Sequence, residues 1–439
     1  MNDTIAAIAT PFGEGAIALI RLSGPAAINI AMAVFRGQTP MLPRVQHYGK
    51  IVDGGRVVDD VLLCLFPGPA SYTGEDLVEI SCHGGILISR QVLKRILDAG
   101  ARLADPGEFT QRAFLNNKLD LTQAEAVMDV IHAQTELSLR AAREQLAGGI
   151  GRVATGLREE LLTVLAHVEA FIDFPDEDIT PDTSVAWDLK LENVQTQLAA
   201  LLATADRGRI LREGVRTVIS GAPNAGKSSL LNALLGRDRA IVSPTPGTTR
   251  DMIEETLQIG GIPIRLIDTA GLRISDDAVE REGIARAQAA RDDADLVLQL
   301  FDGTLPAPEP LPAGNRVLCV RNKCDLPAHE SWGGIKVQQI SCTTGEGVET
   351  LCALISSRVL GGTISADTAL VSINLRHQQC FEQASVAVKT ARRAISGGLS
   401  AELVSVDLRA AMDSIGEVVG KADTEDLLSR IFSTFCLGK

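Results

Sequence analysis

Gly221-Ala-Pro-Asn-Ala-Gly226-Lys227-Ser228 has the residue types and spacing of a polyphosphate-binding loop. Phosphate oxygens need convergent donors unobstructed by Cβ atoms, which the two glycines permit and the N–H groups opening a helix supply. In the P-loop pattern Lys227 reaches the β- and γ-phosphates and the Ser228 hydroxyl takes Mg²⁺, with Asn224, Ala225, Gly226 and Ser229 completing the nucleotide contacts. Asp268-Thr-Ala-Gly271 adds a carboxylate that holds Mg²⁺ through water and a glycine N–H for the γ-phosphate. Asn322-Lys323-Cys324-Asp325 addresses the base. The two oxygens of Asp325 accept from guanine N1–H and the 2-amino group; adenine lacks both donors and leaves the carboxylate unpaired, at ~1–3 kcal/mol. Ser341-Cys342-Thr343 fits the last base-contact loop, with Cys342 where Ala is usual, and Gly247-Thr248-Thr249-Arg250 brings a switch threonine to Mg²⁺. Each short motif is weak alone; in this order, each at a strand end, they specify a guanine-nucleotide hydrolase.

The hydrolytic equipment has a gap. Ras-like enzymes place Gln directly after Asp-x-x-Gly to orient water, whereas Leu272 stands here and can neither orient nor deprotonate anything. The nearest acidic groups lie in Asp276-Asp277-Ala278-Val279-Glu280, so Glu280 is either a solvated switch carboxylate or the group that orients water. Asn224 offers an amide oxygen to a monovalent cation, whose charge replaces that of an arginine finger, an effect on the order of 10³–10⁵ in rate.

These motifs need strands to end where they begin. Segments 217–220 and 337–340 and the apolar runs 264–267 and 317–320 are expected strands, and 229–235 an apolar helix. Upstream, residues 5–8, 16–21, 57–65 and 77–81 read as strands and 86–99 as an amphipathic helix, an α+β pattern. Leu157, Leu161, Val164, Val168 and Phe171 fall at helical steps on one face. Helical periodicity returns at 189–205, 378–395, 401–415 and 424–432. An α/β domain is therefore expected inside a helical one: residues 1–117 an N-terminal domain, 118–213 with 373–439 the helical domain, and 214–372 the insert.

With 439 residues, 45% of them apolar, the chain is long enough for two to four cores and is not a disordered one. Its 42 basic against 55 acidic residues give a net −13, which argues against a surface coated for nucleic acid. No apolar run approaches the ~20 residues of a membrane helix. Met1-Asn2-Asp3-Thr4 has no positive n-region, and the eight scattered cysteines show neither metal spacing nor a Cys-x-x-Cys pair. A soluble, cytoplasmic protein with reduced thiols is expected, with no membrane association.

Beyond the nucleotide motifs, Arg21-Leu-Ser-Gly24, Ser71-Tyr-Thr-Gly-Glu-Asp76, His83-Gly-Gly85, Pro106-Gly-Glu-Phe-Thr-Gln-Arg-Ala-Phe-Leu115 and Cys436-Leu-Gly-Lys439 carry a resemblance over the whole chain. The sequence resembles the MnmE (TrmE) family of tRNA-modification GTPases. The resemblance implies a tetrahydrofolate-binding-like α+β N-terminal domain that dimerises, a helical domain, and an inserted Ras-like P-loop α/β GTPase domain. It implies a homodimer that forms a heterotetramer with the FAD-dependent protein MnmG and acts on tRNA, adding a carboxymethylaminomethyl-type group at C5 of the wobble uridine, position 34. It further implies hydrolysis of GTP to GDP activated when two GTPase domains meet around K⁺. Carried over by motif, Asn224, Ser243, Thr245 and Thr248 ligate K⁺, Ser228 and Thr249 hold Mg²⁺, and Glu280 orients water. Arg21, Glu79, Lys118 and Lys439 are the implied site for 5-formyltetrahydrofolate or a related folate.

Two other readings compete. A ribosome-assembly GTPase acting as an RNA-binding switch requires a basic module, and residues 1–117 contain no basic run. A free-standing one-carbon transferase with a regulatory GTPase domain requires transfer without a partner.

Overall fold

The computed structural model describes residues 3–38, 40–173, 182–236, 255–267, 289–359, 372–421, 425–436 and 438–439. These fall into two compact units: residues 1–128, 146–191 and 386–439 in one, and 129–145 with 192–385 in the other.

The first unit contains a seven-stranded sheet in the order β3-β4-β5-β6-β2-β1-β7. Its strands are β1 Ile5–Ile8, β2 Ile17–Ser23, β3 Phe35–Gly37, β4 His47–Asp53, β5 Arg56–Phe66, β6 Leu77–His83 and β7 Arg102–Leu103. Every pairing is antiparallel except β1 with β7. Side chains alternate between faces along a strand. Ala18, Ile20 and Leu22 of β2, Val78, Ile80 and Cys82 of β6, and Val61, Leu63 and Leu65 of β5 therefore share one buried face. The helices Ala27–Val34 and Ile86–Asp98 cover it with Ile30, Val34, Val92 and Ile96. Cys82 belongs to that core, whereas the neighbouring His83 points out and its Nδ1 lies 2.7 Å from Asp59 Oδ1, as the alternation requires.

Helices of the same unit include Gly149–Asp173 and Ala401–Val418. Leu157, Leu161, Val164 and Val168 are buried as their spacing predicts, but Phe171 is 39% exposed and meets Trp187 edge-on at 6.5 Å between ring centroids. Phe171 lies in the helix's last turn, where the apolar stripe has no buried face left to join.

The second unit holds a six-stranded sheet, β13-β12-β11-β8-β10-β9. Its strands are β8 Val215–Gly221, β9 Glu255–Ile259, β10 Ile262–Leu266, β11 Leu296–Asp302, β12 Val317–Asn322 and β13 Gln338–Gln339. All neighbours run parallel except β9, a hairpin partner of β10. Runs such as Leu296, Val297, Leu298 and Leu300 are buried on both faces, the signature of a doubly covered parallel sheet. Strand order reverses at β8, since β10 lies on one side of it and β11 on the other. Ligands in open α/β sheets bind beyond the strand ends at such a reversal, and β8 leads directly into the Gly221–Ser228 loop region. The architecture is multidomain, α/β and α, with an α+β region around the antiparallel sheet, long helices, and an α/β region around the parallel sheet. Among the described residues no helix is long and apolar enough to cross a membrane.

Candidate nucleotide site and a charged sheet face

Four loops leave the carboxyl ends of β8, β11, β12 and β13. After β8 the chain turns through Asn224 (φ 62°) and Gly226 (φ 98°) before the helix Lys227–Leu235. A Cβ on Gly226 would sit 2.2 Å from Asn322 Nδ2, so a glycine is demanded twice, by the left-handed backbone and by the close approach.

That approach serves a bond. Asn322, only 3% exposed, donates Nδ2–H to the Ala225 carbonyl at 2.9 Å and accepts the Cys342 N–H on Oδ1 at 3.1 Å. One amide thus ties the phosphate loop to the last base loop, with both of its polar ends satisfied. Ser341 is fully buried and its Oγ accepts from Thr344 N at 3.1 Å, bracing the same turn. Lys323 (φ 64°) sends its Nζ to Asp302 Oδ2 at 2.5 Å. Asp325, Asn224, Ser228 and Ser229 are exposed, at the open end of the sheet.

Lys227 donates to the carbonyls of Gly221 and Ala222, both at 3.0 Å, and burial pulls its ammonium below the usual lysine range. The loop is therefore curled around its own cation, and an incoming phosphate replaces two neutral acceptors by charged ones. Of the expected residues, Asn224, Ala225, Gly226, Lys227, Ser228, Ser229, Asn322, Lys323, Asp325 and Ser341 are described and lie in these loops or at the strand and helix ends that flank them. Ser243, Thr245, Thr248, Thr249, Asp268, Gly271 and Glu280 lie outside the described residues.

The second candidate region is the other face of the seven-stranded sheet. Register aligns Ala7, Arg21, Glu79 and Cys64 in one row across β1, β2, β6 and β5. Arg21 donates from Nε and Nη2 to Glu79 Oε1 at 3.0 and 2.7 Å, and from Nη1 to the Gly438 carbonyl at 3.5 Å. Its guanidinium lies 5.6 Å from the Tyr72 ring centroid and 5.9 Å from that of Phe109, within cation–π range. Burial pushes the Cys64 thiol up, and the Glu79 charge adds to the shift.

Gly438 explains the Cys-x-Gly-Lys segment. At φ 88°, with Ala9 Cα and Ile8 O each 2.7 Å from where a Cβ would stand, only glycine lets this turn lie against β1. Lys439 is held by its main chain, its carbonyl accepting from Phe109 N at 3.1 Å. Lys118 donates Nζ to Pro69 O at 2.9 Å and packs its stem along Gly74, so it borders the loop that carries Tyr72. The structure brings Arg21, Glu79 and the Gly438 turn together and leaves Lys118 on the adjoining loop. Tyr72 and Phe109 were not singled out from sequence, although both stand inside the stretches that carried the resemblance. Asp302 was missed as well, although it closes the apolar strand β11.

Comparison with known proteins agrees with this organisation. The model described as "GTP-binding protein TrmE N-terminus" matches residues 4–118 and that of the MnmE helical domain residues 121–436. A protein of Akkermansia muciniphila named tRNA modification GTPase MnmE is 50% identical over 99% of both chains. Proteins of the same name from Chloroflexus aurantiacus and Geobacillus thermodenitrificans are 46% and 43% identical, over 100% of this chain and 100% and 99% of theirs. Full-length identity of this order, together with family models matching residues 4–118 and 121–436, means that the chain belongs to the MnmE (TrmE) family.

Proposed function

We propose that this chain hydrolyses GTP to GDP and that its nucleotide cycle drives the modification of tRNA. The observation that carries the reading is Asn322, which joins the phosphate loop and the base loop through one buried amide, in a chain of this family. In the proposed cycle Lys227 leaves the Gly221 and Ala222 carbonyls for the β- and γ-phosphates, Asp325 reads guanine, and Glu280 orients the attacking water in place of the absent glutamine. Asn224 and Ser228 present exposed oxygen donors, the ligand class of hard cations. Asn224 with Ser243, Thr245 and Thr248 holds K⁺, and Ser228 with Thr249 holds Mg²⁺. When bound, these cations supply positive charge against the charge that develops on the transferring phosphate.

The proposal extends to the partners and the chemistry. Residues 1–117 form a dimerising, folate-binding domain, 118–213 with 373–439 the helical domain, and 214–372 the GTPase domain. Arg21, Glu79, Lys118 and Lys439 bind the tetrahydrofolate that supplies a one-carbon unit: Glu79 accepts from the amide and amino edge of a pterin, and the cations meet anionic oxygens. The homodimer works with the flavoprotein MnmG, in the cytoplasm, to add a carboxymethylaminomethyl-type group at C5 of uridine 34. Pairing of two GTPase domains around K⁺ activates hydrolysis.

The test is hydrolysis by the full chain in K⁺ and in Na⁺. Turnover is expected to be far faster in K⁺, with Asn224→Ala erasing the difference while GTP affinity stays. Equal rates in the two salts would end the cation proposal, and unchanged wobble uridines in cells lacking the protein would end the tRNA reading.

A further inference from the structure

Asp302 closes β11, and its register partner Asn322 closes β12. Thr304 fixes the carboxylate with two bonds to Oδ1, from its N–H at 2.9 Å and its hydroxyl at 2.7 Å. Oδ2 is thereby aimed back at the next strand end, where it takes the Lys323 ammonium at 2.5 Å. The two side chains are 11% and 33% exposed, so this is a half-buried pair, unlike the exposed pairs that contribute little. Burial alone would push the Asp302 carboxyl up, but the bonds from Lys323 and Thr304 outweigh it and hold the group below the ordinary carboxylate range.

Lys323 stands between Asn322, which joins the two nucleotide loops, and Asp325, the carboxylate that addresses the base. With a left-handed backbone at one end and a pinned ammonium at the other, its methylene stem is stretched between two fixed points. We propose that Asp302 is a positioning residue of the guanine site: through Thr304 it is locked, and through its second oxygen it holds Lys323 so that the lysine stem forms a preset wall for the base. A lysine left to itself samples many rotamers, and ordering it only when nucleotide arrives weakens binding. The inference rests on the guanine-site reading of these loops.

Asp302→Asn tests it with little disturbance. The amide oxygen remains with the two Thr304 donors, and the NH₂ turns toward Lys323, which cannot accept a bond. GDP affinity and GTP turnover are measured on the full chain for wild type, Asp302→Asn, Lys323→Ala and the double variant, with ADP as control. Asp302→Asn is expected to raise the Kd for GDP and the KM for GTP about tenfold, with kcat within about twofold, and to add nothing in the Lys323→Ala background. Wild-type affinity in Asp302→Asn overturns the inference, as does a loss that multiplies with that of Lys323→Ala, since Asp302 would then act through the fold. A wild-type chain that binds GDP no better than ADP overturns instead the guanine-site reading.

Discussion

The nucleotide loops and the charged sheet face solve the same problem, holding ionisable groups in place, by opposite means. At the strand ends of the P-loop sheet each group sits in a short motif, and one buried amide, Asn322, reaches a second motif 97 residues away. On the seven-stranded sheet Arg21 and Glu79 lie 58 positions apart and meet only because β2 and β6 pair in that register. A loop motif carries its own geometry; a register pair borrows its geometry from the sheet. Damage to the first should therefore be local, and damage to the second should depend on how deeply the group is built into its sheet.

Two arginines of the first unit make the strongest test of that distinction. Arg112 is 1% exposed and bonded to Asp3, Glu75 and Glu108, a network buried at Arg112 and Glu108 and open to water at Asp3. Arg112→Ala takes the cation from half-buried Glu75 and leaves buried Glu108 with Arg102 alone, and should destabilise this unit by about 3–5 kcal/mol. Arg21, half-buried beside the open face, should cost about 1 kcal/mol when changed to Ala, yet reduce 5-formyltetrahydrofolate binding by ten- to a hundredfold. Urea unfolding and folate titration of both variants separate the cases. Equal stability losses would mean that the sheet face is structural throughout.

A smaller effect is expected at the nucleotide end. Asn322→Ala removes both bonds of the stitch and leaves the Ala225 carbonyl and the Cys342 N–H short of partners, about 3 kcal/mol in all. GDP affinity should fall roughly 100-fold while folate binding is unaffected, as calorimetry with each ligand would reveal. A variant that kept its GDP affinity would show that the phosphate and base loops hold their places independently.

The same contrast explains what the sequence made legible. Strand, loop and helix around Gly226-Lys227-Ser228 were readable because the motif and its flanking periodicity lie within about twenty residues. The strand β5 was readable as an apolar run and the helix Gly149–Asp173 by its period. The row Ala7, Arg21, Glu79 and Cys64 was not readable from spacing, because a shift of one residue in any pairing would turn its members to the opposite face. Only the family resemblance pointed to Arg21 and Glu79, and nothing pointed to Tyr72 and Phe109, whose rings reach the guanidinium through tertiary folding. Asp302 escaped for a related reason, since its bond to Lys323 crosses from one strand end to the next. The short strands β3 and β7, of two or three residues, are too brief to carry a period at all, whereas β13 falls inside the strand expected at 337–340.

Thiol chemistry gives the mildest and most local comparison of the two regions. Cys82 is buried in the sheet core and Cys342 is half-buried in the base loop. In both, burial pushes the thiol up to about 11, helped by the Asp59 charge in one case and by Asp325 in the other. Only the thiolate alkylates, so at pH 8 both should react slowly, and each should accelerate as the pH climbs toward 11. GDP should then divide them. A nucleotide seated on the base loop shields Cys342 and slows its reaction with iodoacetamide several-fold, whereas Cys82, at 3% exposure within the other unit's core, has nothing to gain from it. Peptide mass spectrometry after timed labelling reads both sites at once. Protection by GDP spread equally over Cys82 and Cys342 would mean that nucleotide tightens the whole chain, and the division into a self-contained loop site and a separate sheet face would fail.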